Sequence, residues 1–237
     1  MNVFLGIPTY DGTLHSACHK GVLHASRRHS VMEMCAISSI LPHGFNILWC
    51  HGVTQGADYF AMLHADIGPA EHWIDTLIDE LDAHEADVIS AAVPLKGKGG
   101  FYSTALGRIG EEVSYRVRHQ DLSRLPPTFN GDDLRRVADC EGVLCVNTGC
   151  FVCKLAAKWV KDIAFGMRTW ITWDGDAPLC RMIPEDWDFS HQCHALGLKV
   201  LATTKVRVTH YGIQGWSSGG VYAQDPHLQT VPTPTGA

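Results

Sequence analysis

Tyr59-Phe60-Ala61-Met62-Leu63-His64-Ala65-Asp66-Ile67-Gly68-Pro69 shows most directly how the chain is organised. An apolar run of strand length ends in two potential cation ligands, His64 and Asp66, and then a turn. A buried parallel strand has this pattern: apolar on both faces, with polar groups only where it leaves the sheet. Ligands of open α/β sheets bind beyond such carboxyl ends.

The pattern repeats outward from there. Val3 to Ile7 reads as a first buried strand, closed by Pro8 and the turn residues Asp11-Gly12. A helix is expected from about His15 to Arg28, a strand from Val31 to Ile37, and a helix opened by Pro42 and stopped by Gly56. Pro69 is expected to start the next helix, with Glu71 in its first turn and Trp73, Ile74, Leu77, Ile78 and Leu81 as its buried stripe. Ala86 to Leu95 reads as strand. Alternation of strand and helix over the first 95 residues predicts a mostly parallel sheet covered on both faces.

The second half is less regular. Lys96 to Gly100 is a basic, glycine-rich loop without the ending of a phosphate-binding P-loop. Arg116 to Asp139, polar and containing Pro126-Pro127, reads as an inserted loop region. Gly142 to Lys154 returns to strand, Leu155 to Ile163 reads as a short helix, and Arg168 to Arg181 as a loop rich in Trp and Asp. Pro184 to Leu196 is expected to be a helix with Gly197 as its stop, and Lys199 to Val208 the last strand. The expectation is one domain over 1–220, with a nucleotide-binding half (1–95) and an acceptor half (96–220), and a flexible tail at 221–237.

Composition narrows the function. At 237 residues the chain is long enough for one large α/β core, and no apolar run is long enough to span a membrane, so a cytoplasmic protein is expected. A net charge of −6 argues against a broad grip on nucleic acid. It leaves room for a local basic groove among Lys96, Lys98, Arg108, Arg116, Arg118, Arg124, Arg135 and Arg136. Nine cysteines, an odd number, form no disulfide framework. Cys140, Cys145, Cys150 and Cys153 are read as buried thiols, with a zinc-binding interaction module as the rival reading.

Polar groups stand at three strand ends: Pro8-Thr9-Tyr10-Asp11, His64-Ala65-Asp66 and His210. One Asp with one or two His suits Mn²⁺, with Mg²⁺ as the alternative. Helix capping is the competing role for Asp66 and for the acids Glu185 and Asp186.

In this order and spacing, a set of pieces resembles the GT-A-fold nucleotide-sugar glycosyltransferases of the family-2 type. The pieces are Ile7–Gly12, Phe45-Asn46, Met62–Ile67, Asp87–Ser90, Val146–Phe151, Glu185–Phe189, Leu196–Val200 and His210–Gly212. The resemblance implies a GT-A-like, mostly parallel central sheet flanked by helices. It implies that Pro8, Thr9, Tyr10 and Asp11 line the base and ribose pocket and that Asn46 approaches the nucleotide. His64-Ala65-Asp66 stands where the family has Asp-x-Asp, so Asp66 would bind the metal, His64 would take the first acidic position, and His210 would be the distant metal ligand. Asp186 would be the catalytic base of an inverting transfer, with Glu185 beside it contacting acceptor or donor sugar. The implied donor is a nucleoside-diphosphate sugar, a UDP-sugar being favoured. A second reading makes the acceptor a hydroxymethylated pyrimidine in DNA, as in phage-encoded members of this fold. His64 departs from the pattern, because an imidazole cannot accept hydroxyl protons on two oxygens as a carboxylate does.

Overall fold

The structure is a computed structural model, and it describes residues 1–97, 99–212 and 216–217. The elements in chain order are β1 (Asn2–Thr9), α1 (Ser16–Leu23), β2 (Ser30–Ile37), α2 (Leu41–Thr54), β3 (Tyr59–Leu63), β4 (Ile67–Pro69), α3 (Trp73–Ala83) and β5 (Val88–Ala91). Next come β6 (Phe101–Gly107), β7 (Val113–Arg118), α4 (His119–Leu122), β8 (Thr128–Phe129), α5 (Gly131–Ala138), β9 (Val143–Cys145), β10 (Cys150–Lys154) and a 3-10 turn (Lys158–Asp162). The chain continues through β11 (Arg168–Asp174), β12 (Ala177–Ile183), α6 (Glu185–Ala195), β13 (Val200–Thr203), β14 (Val208–His210) and β15 (Trp216–Ser217).

Seven strands form the central sheet in the order β2-β1-β3-β10-β5-β13-β8. β1 runs parallel to β2 and β3, and β5 parallel to β13. β10 is antiparallel to both neighbours, and β8 is antiparallel to β13. The sheet is therefore mixed α/β and mostly parallel, as expected. Strands from both halves of the chain interleave within it.

Side-chain alternation splits the core into two layers. Phe4, Phe60, Met62, Phe151, Cys153 and Val88 point to one face, where α2 supplies Phe45, Leu48 and Trp49 and α6 supplies Phe189 and Cys193. Val3, Leu5, Ile7, Ala61, Leu63, Ile89 and Val152 point to the other, under Cys18 of α1 and the Trp73, Ile74, Leu77, Ile78 and Leu81 stripe of α3. A strand covered on both faces needs no polar alternation, which is why β1 and β3 read as continuous apolar runs.

Several expectations are corrected. Pro69 does not open a helix: it ends β4, which pairs with β14 in a small antiparallel sheet (Pro69 opposite Val208, Ile67 opposite His210). α3 begins only after His72, whose φ is 58°. α1 ends at Leu23 rather than Arg28. The strand read over Ala86 to Leu95 is regular only over Val88–Ala91, and Lys199 to Val208 divides between β13 and β14.

Arg116 to Asp139 is not a loop. It holds the end of β7, then α4, β8 and α5, and α5 is opened by a reciprocal Asn130–Asp133 capping box. Arg168 to Arg181 lies in the β11–β12 hairpin, turned at Gly175 (φ 57°). Leu155 to Ile163 forms only the 3-10 turn. The expected tail at 221–237 lies outside the described residues.

The zinc reading also fails on geometry. Cys150 and Cys153 project to opposite faces of the sheet and are fully buried, each in a different core layer. Burial raises both thiols above the ordinary cysteine range.

Candidate functional site

The parallel strands β1, β3 and β5 end at one edge of the sheet. β10 is antiparallel, so it starts there, with Cys150 opposite Leu63 and Phe151 opposite Ser90. This edge gathers His64-Ala65-Asp66, the Asn147-Thr148-Gly149 turn and, through side-chain bonds, the N-terminus of α6.

The backbone of the His64 motif is held on every side. The His64 N–H donates to the Gly149 carbonyl at 2.9 Å, and the Ile67 N–H closes a turn on the His64 carbonyl at 3.0 Å. The Ala65 carbonyl accepts from the His15 N–H and the Asp66 carbonyl from the Tyr211 N–H, both at 2.8 Å. The rings of His15 and Tyr211 stack 3.8 Å apart.

Asp66 carries the site's charge. Its Oδ2 pairs with the Lys96 ammonium and lies 3.5 Å from His210 Nε2. Burial alone would raise the carboxyl, but hydrogen bonding to His210 and Lys96 outweighs it and holds the group well below the usual carboxylate range. His210 Nδ1 is 2.9 Å from the Pro94 carbonyl. A carbonyl can only accept, so Nδ1 carries a proton and the Nε2 edge is the one presented to Asp66. Metal-binding histidines are commonly oriented by a carbonyl in this way.

His64 is half-buried beside Phe45, and its buried Nε2 has no partner among the described residues. Burial pushes it down to about 4, so its ring is neutral at physiological pH.

The donor chemistry here suits a hard or borderline dication. Among the described residues, however, no three His, Cys, Asp or Glu side chains are gathered closely enough to enclose an ion. Asp66 and His210 are the two side chains here that could hold a cation, and any further ligands would have to come from elsewhere.

Asp186 sits at the start of α6 and is only 6% exposed. Oδ1 accepts from the Trp187 N–H at 2.8 Å, and Oδ2 from Ser103 Oγ at 3.1 Å and Asn147 Nδ2 at 3.2 Å. Burial, then the neighbouring Glu185, drives its pKa up to about 7 against the pull of those donors. Burial raises Glu185 as well. A carboxyl poised near neutrality, with a lone pair still open on Oδ1, has the properties of a general base.

Asn147 ties the two centres together. Its Nδ2 holds Asp186, its Oδ1 accepts the Gly149 N–H at 2.7 Å, and its carbonyl accepts from Ser90 Oγ. Gly149 in turn bonds His64. A Cβ on Gly149 would come within 2.5 Å of Ile67, 2.6 Å of Asn147 and 3.2 Å of His64, so the turn requires glycine.

The other expected residues are placed as follows. Thr9 is buried, and its hydroxyl accepts from the Gly12 N–H and donates to the Thr13 carbonyl. Asp11 is exposed and accepts from the Thr13 N–H, which lowers its pKa. Tyr10 is exposed, and Pro8 lies buried within β1. Asn46 lies in α2, where its Nδ2 donates to the Phe165 carbonyl at 2.8 Å and its Oδ1 accepts the Phe165 N–H at 2.9 Å. Its amide is spent clamping that segment to α2. Lys96, Asn147 and Gly149 complete the site through contacts that local pattern does not display.

No protein-family model and no curated protein matches the sequence. Among solved structures, A197 from STIV superposes with a TM-score of 0.57 at 14% identity, covering 99% of this chain and 100% of that one. The two chains share one fold over essentially their whole length. CMP:2-keto-3-deoxy-manno-octonic acid synthetase complexed with CTP gives a TM-score of 0.44 at 10% identity, over 85% of this chain and 89% of that one. S. aureus TarS 1-349 in complex with UDP-GlcNAc gives 0.40 at 11% identity, over 86% of this chain and 56% of that one. No helix among the described residues is long and apolar enough to cross a membrane.

Proposed function

We propose that the protein is a glycosyltransferase that moves a sugar from a nucleoside-diphosphate sugar, with a UDP-sugar favoured, to an acceptor hydroxyl with inversion. One observation carries this reading. Asp186, a buried carboxyl poised near neutrality, is bonded through Asn147 to the turn that supports His64-Ala65-Asp66.

The two ends of this network have different tasks. The Asp66 end receives the diphosphate: Lys96 offers an ammonium, and Asp66 and His210 would hold Mn²⁺ or Mg²⁺. A bound dication supplies positive charge against the diphosphate as it leaves. Thr9, Tyr10 and Asp11, at the end of β1, line the nucleoside side. At the other end Asp186 takes the acceptor's hydroxyl proton. The new bond from acceptor oxygen to anomeric carbon forms as the bond from anomeric carbon to phosphate oxygen breaks, and its electron pair leaves on the diphosphate. The reacting carbon gains oxocarbenium character, as in glycoside cleavage.

A hydrolysis screen of nucleotide sugars, with Mn²⁺, with Mg²⁺ and with chelator, tests the reading without knowledge of the acceptor. Release of nucleoside diphosphate from at least one donor is expected. No release and no binding across the panel would remove the proposal.

A further inference from the structure

The β11–β12 hairpin leads directly into Glu185 and Asp186, and one of its faces is apolar without being buried. In the hairpin register Thr169 lies opposite Met182, Ile171 opposite Cys180 and Trp173 opposite Pro178, so these side chains share a face. Ile171 is 66% exposed and Trp173 69%. Met182 and Cys180 of this face also line a cleft of about 360 Å³ with Glu112, Arg116, Pro184 and Trp187.

The cleft is built rather than incidental. Glu112 pins the hairpin, accepting from Arg181 Nη1 at 2.8 Å and from the Met182 N–H at 2.9 Å. Trp187 is buried and anchored by its Nε1–H on the Ser103 carbonyl. Arg116 lies over the Trp187 indole at 4.4 Å. Among the described residues its guanidinium has no carboxylate within ion-pairing distance and no hydrogen-bond partner, although the residue is half-buried and Asp186 acts on it at longer range. A guanidinium with its fork of donors unspent, beside the Asp186 base, is suited to a planar or tetrahedral oxyanion.

We infer that this cleft is the acceptor site and that the acceptor is anionic: a phosphate or carboxylate on Arg116, with a flat apolar ring against Cys180 and Met182, where the hairpin face enters the cleft. The inference rests on the transferase reading for its name, but the binding it describes does not depend on a donor. It turns Glu112 into a positioning residue, because the Glu112–Arg181 pair sets where the hairpin face stands.

The test is titration of the full chain, without nucleotide, by phenyl phosphate, benzoate and benzyl alcohol, followed by calorimetry or by the tryptophan emission. Phenyl phosphate or benzoate should bind and benzyl alcohol should not; which anion binds tells a phosphate acceptor from a carboxylate one. Arg116→Gln should weaken binding roughly tenfold or more, with Arg116→Lys intermediate and Met182→Ala also weakened. Each variant's thermal melt is compared with wild type, and Arg116→Lys and Met182→Ala keep the test open if Arg116→Gln misfolds. Equal binding by Arg116→Gln, or equal binding of benzyl alcohol, overturns the inference. So does loss of binding in Asp66→Ala with retention in Arg116→Gln, since the anion would then occupy the diphosphate end. If aryl anions bind at Arg116 but no nucleotide sugar binds anywhere, the cleft stands and the transferase reading falls.

Discussion

Asn147 Nδ2 lies 3.2 Å from Asp186 Oδ2, while the same amide's Oδ1 accepts the N–H of Gly149, whose carbonyl holds His64. One side chain therefore sets both the height of the base and the position of the cation motif. Replacing Asn147 with Ala removes a donor that favours the charged form of Asp186. The midpoint of the pH–rate profile should move above about 7, and urea melts should show a loss of about 1–3 kcal/mol from the unsatisfied buried groups. An unchanged midpoint would separate Asn147 from the base.

Asp186→Asn should keep nucleotide-sugar binding and lose roughly 10²–10⁴-fold in turnover. Single-turnover measurement with saturating donor distinguishes this from a binding defect. Near-normal turnover would remove Asp186 from the base role.

The raised carboxyl also marks the stability. In the unfolded chain Asp186 loses its proton near 3.8, but in the folded chain only near about 7. Between those values the folded state binds more protons, so stability falls as pH rises through the window, by at most about 4 kcal/mol. Paired urea melts at pH 5 and pH 8 span the upper part of the window and should show about 3 kcal/mol of this loss in wild type, with a flatter response in Asp186→Asn.

Gly149→Ala should disturb Ile67, Asn147 and His64 together, because the added methyl has no room beside any of them. A destabilisation of about 1–3 kcal/mol is expected, with donor affinity reduced alongside. Thermal melts and nucleotide titration of one preparation read out both effects.

The sequence reveals the inner strands because they are apolar on both faces: Val3 to Ile7 and Tyr59 to Leu63 could hardly be anything else. It hides the β11–β12 hairpin because that hairpin has no buried face to set a period, although Asp174-Gly175 carries a turn signal. Pro69 misleads because its strand partner, Val208, is remote in sequence. At the site, Asp66, Asp186 and His210 are legible from strand ends and motif order. Lys96, Asn147 and Arg116 are not, since each acts across the fold on residues 30 to 71 positions away or packs against them. Asn46 lies in the expected helix, and its amide bonds to Phe165, a contact 119 positions away that the local pattern does not display.

The central claim is that a nucleotide sugar docks against Asp66. Calorimetric titration of wild type and Asp66→Ala with UDP-sugars, in Mn²⁺ and in chelator, tests it most directly. The account predicts metal-dependent binding by wild type and a loss of roughly tenfold or more in Asp66→Ala. Full affinity in Asp66→Ala would contradict it.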